Sequence, residues 1–223
     1  FGGIDRTFAG TIDPFTGDYY YKIDNAAAAQ NGQLVRIKAI ELENFQGFYG
    51  PGEGGSQVLQ DAEEVDPVFN ALGGVADFNI ARFDLGAANP VGNQTYLVAC
   101  DNNEVFVQCL SCATDFTQTF TMSNFGDPPQ GNSGAQWVFA ADTVNPDFYC
   151  AYNDGRGVIN VDMTNCTDMN DDPPLTCPAG FVNKSNVTSS NDGLNCLNAS
   201  SPFGPPQTVT TTTSTTTTTT PAQ

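Results

Sequence analysis

The sequence predicts an all-β protein, mainly an antiparallel β-sandwich with one or two short helices, and a β-trefoil-like barrel as the alternative. Three observations predict it. Charged residues are only 14% of the 223 residues, while Gly, Thr and aromatic side chains abound, a balance poor in strong helix formers. Short runs alternate apolar and polar side chains, as strands with one buried face do. Turn-forming Asn, Asp and Gly residues separate those runs.

Taken in order, Leu34-Val-Arg-Ile-Lys-Ala-Ile alternates through its centre and reads as a half-buried strand. Val58, Ala62, Val65, Phe69 and Leu72 recur at helical spacing before Gly73-Gly74. Pro67 divides that stretch, so two short helical pieces are expected, with Asp61, Glu63, Glu64 and Asp66 as N-terminal charges and a polar face. Ala76 to Phe83 alternates again. Tyr96-Leu-Val-Ala-Cys, Asp101-Asn-Asn-Glu and Val105-Phe-Val-Gln-Cys form a hairpin, because Asn tolerates the positive φ of a tight turn. Thr114 to Met122 and Gln136 to Ala141 supply two more strands. Asp147 to Tyr152, Asn153-Asp-Gly and Val158 to Asp162 form a second hairpin. Similar openings at Gly32, Asn93 and Gly134 hint at a threefold repeat, but their unequal intervals rank the trefoil second.

Three zones organise the chain. Residues 1–163 carry nearly all the apolar content and read as the β-rich domain. Residues 164–207, with three cysteines and most of the sequons, read as a disulfide-pinned, N-glycosylated neck. Residues 208–223, TVTTTTSTTTTTTPAQ, are almost pure threonine and cannot bury a core. That composition is the one of an O-glycosylated stalk, with Thr208, Thr210, Thr211, Thr212, Thr213, Ser214, Thr215, Thr216, Thr217, Thr218, Thr219 and Thr220 as acceptors. Threonine also favours extended chain, and Thr208 to Thr220 would reach about 43 Å along a neighbouring subunit or sheet edge.

Seven Lys and Arg against 25 Asp and Glu give a net charge of −18, which repels nucleic acid and anionic membrane. No run approaches the length of a membrane span, while a lipid anchor stays compatible with a small-residue polar spacer. The opening Phe1-Gly-Gly-Ile has neither the basic nor the apolar part of a leader, so it is expected to be a mature terminus. Sequons at Asn93, Asn165, Asn183, Asn186 and Asn198 accompany seven cysteines, Cys100, Cys109, Cys112, Cys150, Cys166, Cys177 and Cys196. Both imply an oxidising secretory route and structural disulfides. Seven is odd, so one thiol is either unpaired or joined to another chain.

The chain has no histidine, which removes Ser-His-Asp and Cys-His catalysis and His-ligated metals. A redox or zinc role for Cys109-Leu-Ser-Cys112 lacks a second ligand pair. Asp168-Met-Asn-Asp-Asp172 begins like a calcium loop but has Pro173 where Gly is needed and Ala179 where Glu is needed. No cofactor is expected, and Ca²⁺ at that turn is the one exception weighed. Three consecutive tyrosines, Tyr19 to Tyr21, cannot share a strand face. The Gly-rich loop with Phe45, Phe48 and Tyr49 is the better place to stack on a sugar.

Pro205-Pro206, the threonine tract and the sequons together resemble secreted cell-wall and surface glycoproteins of fungi and similar walled eukaryotes. The resemblance implies extracellular display and assigns no functional residue. The expected function is a non-enzymatic structural subunit of a surface coat or glycosylated filament, self-associating through the tail or a sheet edge. A carbohydrate-binding adhesin with extracellular glycans as partners is the first alternative. An acidic two-carboxylate glycosidase is the second.

Overall fold

The computed structural model describes residues 7–23, 34–40, 63–66, 77–89, 92–123, 133–139, 145–155, 157–168, 170–172, 175–187, 195–196 and 199–203, with residues 7, 8, 63–66, 133, 195 and 196 described by backbone alone. These residues form β1 (Thr7–Ile12), β2 (Tyr19–Ile23), β3 (Leu34–Ile37), β4 (Glu63–Asp66), β5 (Asn79–Asp84), β6 (Asn93–Asp101), β7 (Glu104–Cys109), β8 (Thr117–Ser123), β9 (Ser133–Phe139), β10 (Asp147–Tyr152), β11 (Gly157–Val161), β12 (Thr176–Asn183) and β13 (Asn195–Cys196). Two 3₁₀ turns, Gly86–Ala88 and Met163–Asn165, supply short helical pieces. The protein is all-β.

The strands divide into a four-stranded sheet, β1-β2-β3-β4, and a nine-stranded sheet, β13-β9-β10-β11-β12-β8-β7-β6-β5. Eight strands of the large sheet form two antiparallel meanders, β5 to β8 and β9 to β12, and the short β13 adds in parallel to β9. They join where β12 runs parallel to β8, with Cys177 opposite Met122. At the far margin the start of β5 returns to β9, and the sheet is nearly closed into a barrel. A polar seam holds that margin. Asn79 Nδ2 donates to the Gln136 carbonyl at 2.7 Å, and the Gln136 backbone N–H donates to Asp77 Oδ2 at 2.9 Å. The Gln136 side-chain amide donates to the carbonyls of Asp77 and Cys100. Partnering edge groups this way removes the cost of unpaired backbone where no strand neighbour exists.

Strand alternation fills the interior. Tyr96, Val98 and Cys100 of β6 point inward with Val105 and Val107 of β7, Phe120 of β8, Phe148, Cys150 and Tyr152 of β10 and Ile159 of β11. The Cys100–Cys150 bridge crosses this core from one meander to the other. Leu97 and Ala99 point the opposite way. They meet Ala9, Tyr20 and Leu34 of the small sheet in a second core, so the two sheets pack face to face over β5 and β6. Arg82 clasps the layers from the rim, with its guanidinium 4.0 Å from the centre of the Phe15 ring.

Both expected hairpins are present. Asn102 takes φ 50° between β6 and β7, and Gly155 takes φ 79° between β10 and β11. Gly157 has φ 123°, and a Cβ there would run into the carbonyl oxygen of Asn183, so only glycine fits. The helix expected around Val65 is corrected: Glu63–Asp66 is a strand, paired antiparallel to β3 with Val35 opposite Glu64. Tertiary pairing to an available edge overrides a weak helical period. The remaining helix positions, Val58, Ala62, Phe69 and Leu72, lie outside the described residues, as does Asp61. In place of three equal units, the strands form two unequal sheets, which departs from the trefoil alternative. The large sheet also extends past residue 163, since β12 lies in its interior.

One end of the interior holds poorly compensated polar groups. Asp101 Oδ1 and the Tyr152 hydroxyl are buried without hydrogen-bond partners among the described residues. Burial is the main cause that pushes both groups up; the Asp101 and Asp154 charges add to it at Tyr152, while the Asn102 backbone N–H and the Lys22 charge partly offset it at Asp101. For Asp101 the folded carboxyl holds its proton to a higher pH than the unfolded one, whose value is 3.8. Stability therefore rises as pH falls through the window just above 3.8, and the destabilising contribution is fully present above that window. Asp101→Asn is expected to raise the melting temperature at pH 7 and to lose that gain at pH 3. Paired thermal melts check this, and equal shifts at both pH values would overturn it.

Candidate functional site

The most elaborated surface is the outer face of β9 to β12. Side chains that do not enter the barrel core here include Ala135, Trp137 and Phe139 of β9 and Tyr149 and Ala151 of β10. Residues 199–203 lie over them. Phe203 places its ring 4.8 Å from Tyr149 and 6.3 Å from both Phe139 and Trp137, between centroids. The Ser201 and Tyr149 hydroxyls are 2.7 Å apart, and the Phe203 N–H donates to Ser201 Oγ. Residues 199–203 thus form a strap, anchored by an aromatic cluster and a hydrogen bond.

Beside the strap lies an open groove of about 460 Å³. Its walls come from Asn145 and Asp147 at the start of β10, Asn160 at the end of β11, and Thr164 and Asn165 of the second 3₁₀ turn. Pro146 and the Pro178-Ala179-Gly180 stretch of β12 supply its apolar surface. Asp162 fixes the turn. Its Oδ1 accepts from the Thr164 and Asn165 backbone N–H groups and the Thr164 hydroxyl, and its Oδ2 accepts from Asn165 Nδ2 at 2.8 Å. Burial alone raises the pKa of Asp147. Tyr149 is raised mainly by burial and also by the Asp147 charge, against lowering by Ser201 and Asn160. Amides and a carboxylate around small and proline side chains suit a polyhydroxylated ligand, which needs many hydrogen bonds and a flat apolar face. Acid–base work is less well served, because both Asp162 oxygens are committed to the turn.

Three disulfides are present: Cys100–Cys150, Cys109–Cys112 and Cys166–Cys177. Six of the seven cysteines are thereby paired within the chain, and the seventh, Cys196, belongs to the two-residue strand β13. Asn93, Asn165, Asn183 and Asn186 are exposed; Asn198 lies outside the described residues. So do Phe45, Phe48, Tyr49 and the whole threonine tract from Thr208 to Thr220. The described residues of the Asp168 to Asp172 stretch bond among themselves. Asp168 Oδ1 accepts from Asn170 N–H and Asp171 Oδ2 accepts from Asp168 N–H. Among the described residues no group of three potential metal ligands comes together. Tyr19 and Tyr21 stack on one side of β2, 5.8 Å between centroids, while Tyr20 enters the core between the sheets.

The structure brings together residues that the sequence did not single out. Asp147, Asn160 and the strap residues Ser201 and Phe203 meet only through strand pairing and a late crossing of the chain. The sequence signals for this region are the hairpin of Asp147 to Tyr152 with Val158 to Asp162 and the sequon at Asn165. Among the described residues no helix is long and apolar enough to cross a membrane. No family model, curated protein or solved structure matches the chain.

Proposed function

We propose that the protein is a non-enzymatic extracellular glycoprotein that serves as a structural subunit of a surface coat or glycosylated filament. The observation that carries this reading is the cysteine pairing. Three intrachain bridges engage every cysteine except Cys196, which leaves it without a cysteine partner in its own chain. In an oxidising compartment an odd cysteine joins chains or stays a reactive thiol. Exposed sequons at Asn93, Asn165, Asn183 and Asn186 and the threonine-rich stalk support display on a surface.

The protein purified from medium without reductant is expected to run as disulfide-linked dimers or larger species that collapse to monomer with dithiothreitol. Cys196→Ser is expected to abolish those species without lowering the melting temperature. A wild-type preparation that is monomeric by light scattering, shows one titratable thiol and forms no fibres in negative stain would overturn the reading.

A further inference from the structure

We propose that the groove beside the second 3₁₀ turn is the seat of the N-glycan carried by Asn165, whose first sugars lie down over β10 to β12 instead of projecting into solvent. The inference rests on the reading of the chain as a secreted glycoprotein and adds where one glycan goes and what holds it.

Three observations converge on this groove. Asn165 is both a sequon residue and part of the groove wall, so an attached sugar starts its path inside the cavity. The volume of about 460 Å³ is in the range of sites that hold a small ligand. The lining matches an N-acetylglucosamine unit: the Asp147 carboxylate makes no hydrogen bond to another described residue and can accept from sugar hydroxyls. Asn145 offers its amide, Asn160 offers its amide oxygen while its Nδ2 donates to the Phe148 carbonyl, and Pro178 to Gly180 present a surface without long side chains for the apolar face of the ring.

Attachment leaves the turn intact. Asn165 Nδ2 attacks C1 of the first sugar of a polyprenyl-diphosphate-linked oligosaccharide. The Nδ2–C1 bond forms, the C1–O bond to the diphosphate breaks, one amide proton is lost, and the lipid diphosphate leaves. The N–H that remains on Nδ2 is enough to keep the 2.8 Å bond to Asp162 Oδ2. The same geometry places attachment before folding. In the folded chain Cys166 is bridged to Cys177, and the hydroxyl of Thr167, the third residue of the sequon, is 3.1 Å from that of Thr176. A transferase that must grip an extended Asn165-Cys-Thr segment needs this region open.

The experiment is site-resolved deglycosylation of the protein secreted from a eukaryotic host. Peptide-N-glycosidase is added to native and to denatured protein, and release at each sequon is followed by glycopeptide mass spectrometry. Native release at Asn165 is expected to be at least about tenfold slower than at Asn186, with equal rates after denaturation. Asp147→Ala, at matched melting temperature, is expected to speed release at Asn165 and leave Asn186 unchanged. An empty Asn165 with other sequons occupied would overturn the proposal alone, as would native release at the Asn186 rate or indifference to Asp147→Ala. A protein with no sequon occupied would overturn the secreted-glycoprotein reading along with it.

Discussion

Replacing Cys100 and Cys150 together by alanine is expected to lower stability by about 4 kcal/mol and the melting temperature by about 10 °C. The bridge closes a loop with a sequence separation of 50, and its effect comes chiefly from restricting the unfolded chain. Both sulfurs lie in the core and are fully buried, so their loss also thins the packing between Val98, Phe148 and their neighbours. The Cys109–Cys112 bridge, with a separation of only 3, constrains far less chain, and its removal is expected to cost less. Urea titrations of the two double variants check the order. A Cys100/Cys150 variant within about 1 kcal/mol of wild type would mean that the meanders are held together by other contacts.

The second large effect is expected at the seam. Gln136 is wholly buried, and its side-chain amide serves the carbonyls of Asp77 and Cys100. Gln136→Ala removes both donors and leaves a void, for a loss of about 2–4 kcal/mol. Gln136→Met keeps the volume and discards an amide oxygen that has no partner among the described residues, so its loss is expected to be smaller. Asp77→Ala removes the acceptor for the Gln136 backbone N–H and is expected to resemble Gln136→Ala. Hydrogen exchange supplies the decisive readout. Amides of β5 and β9 are expected to exchange faster in these variants while β7 and β11 keep their protection. Uniform acceleration over all strands would show that the seam contributes to global stability without acting as the barrel's latch.

The hairpins were legible because their information is local. Asn102-Asn103 and Asn153-Asp-Gly sit between alternating runs, and turn chemistry sets both register and reversal. β12 was obscured by Pro178 and Gly180, residues that demote a strand when read alone. In the structure Pro178 falls in the short parallel stretch opposite Ser123. Gln136 was obscured for a different reason. A polar residue in a strand reads as solvent-facing, and only the return of β5 onto β9 reveals it as the most buried polar group of the margin. The groove was legible at one residue, Asn165, because its walls form only when the consecutive strands β10, β11 and β12 pair side by side, and no motif marks Asn145, Asp147, Asn160 or Pro178 as neighbours. Val65 was misleading, since a helical period over a few residues is weaker evidence than an available strand edge.

The parallel join between β8 and β12 sets a schedule on the ribosome. β8 ends at Ser123 and β12 at Asn183, so the first meander leaves the tunnel about 60 residues ahead of the strand it must meet. At about 5–20 residues per second, that is roughly 3–12 s in which the β8 edge has no neighbour, and Cys100 itself waits for Cys150 over a separation of 50 residues, roughly 2.5–10 s. Until Cys150 emerges the only other thiols on the chain are Cys109 and Cys112, three residues apart and able to close on each other first. The smallest ring in the protein thus acts as a timer: by capturing its own two sulfurs early, it keeps Cys100 in reserve for the half of the barrel that has not yet been made.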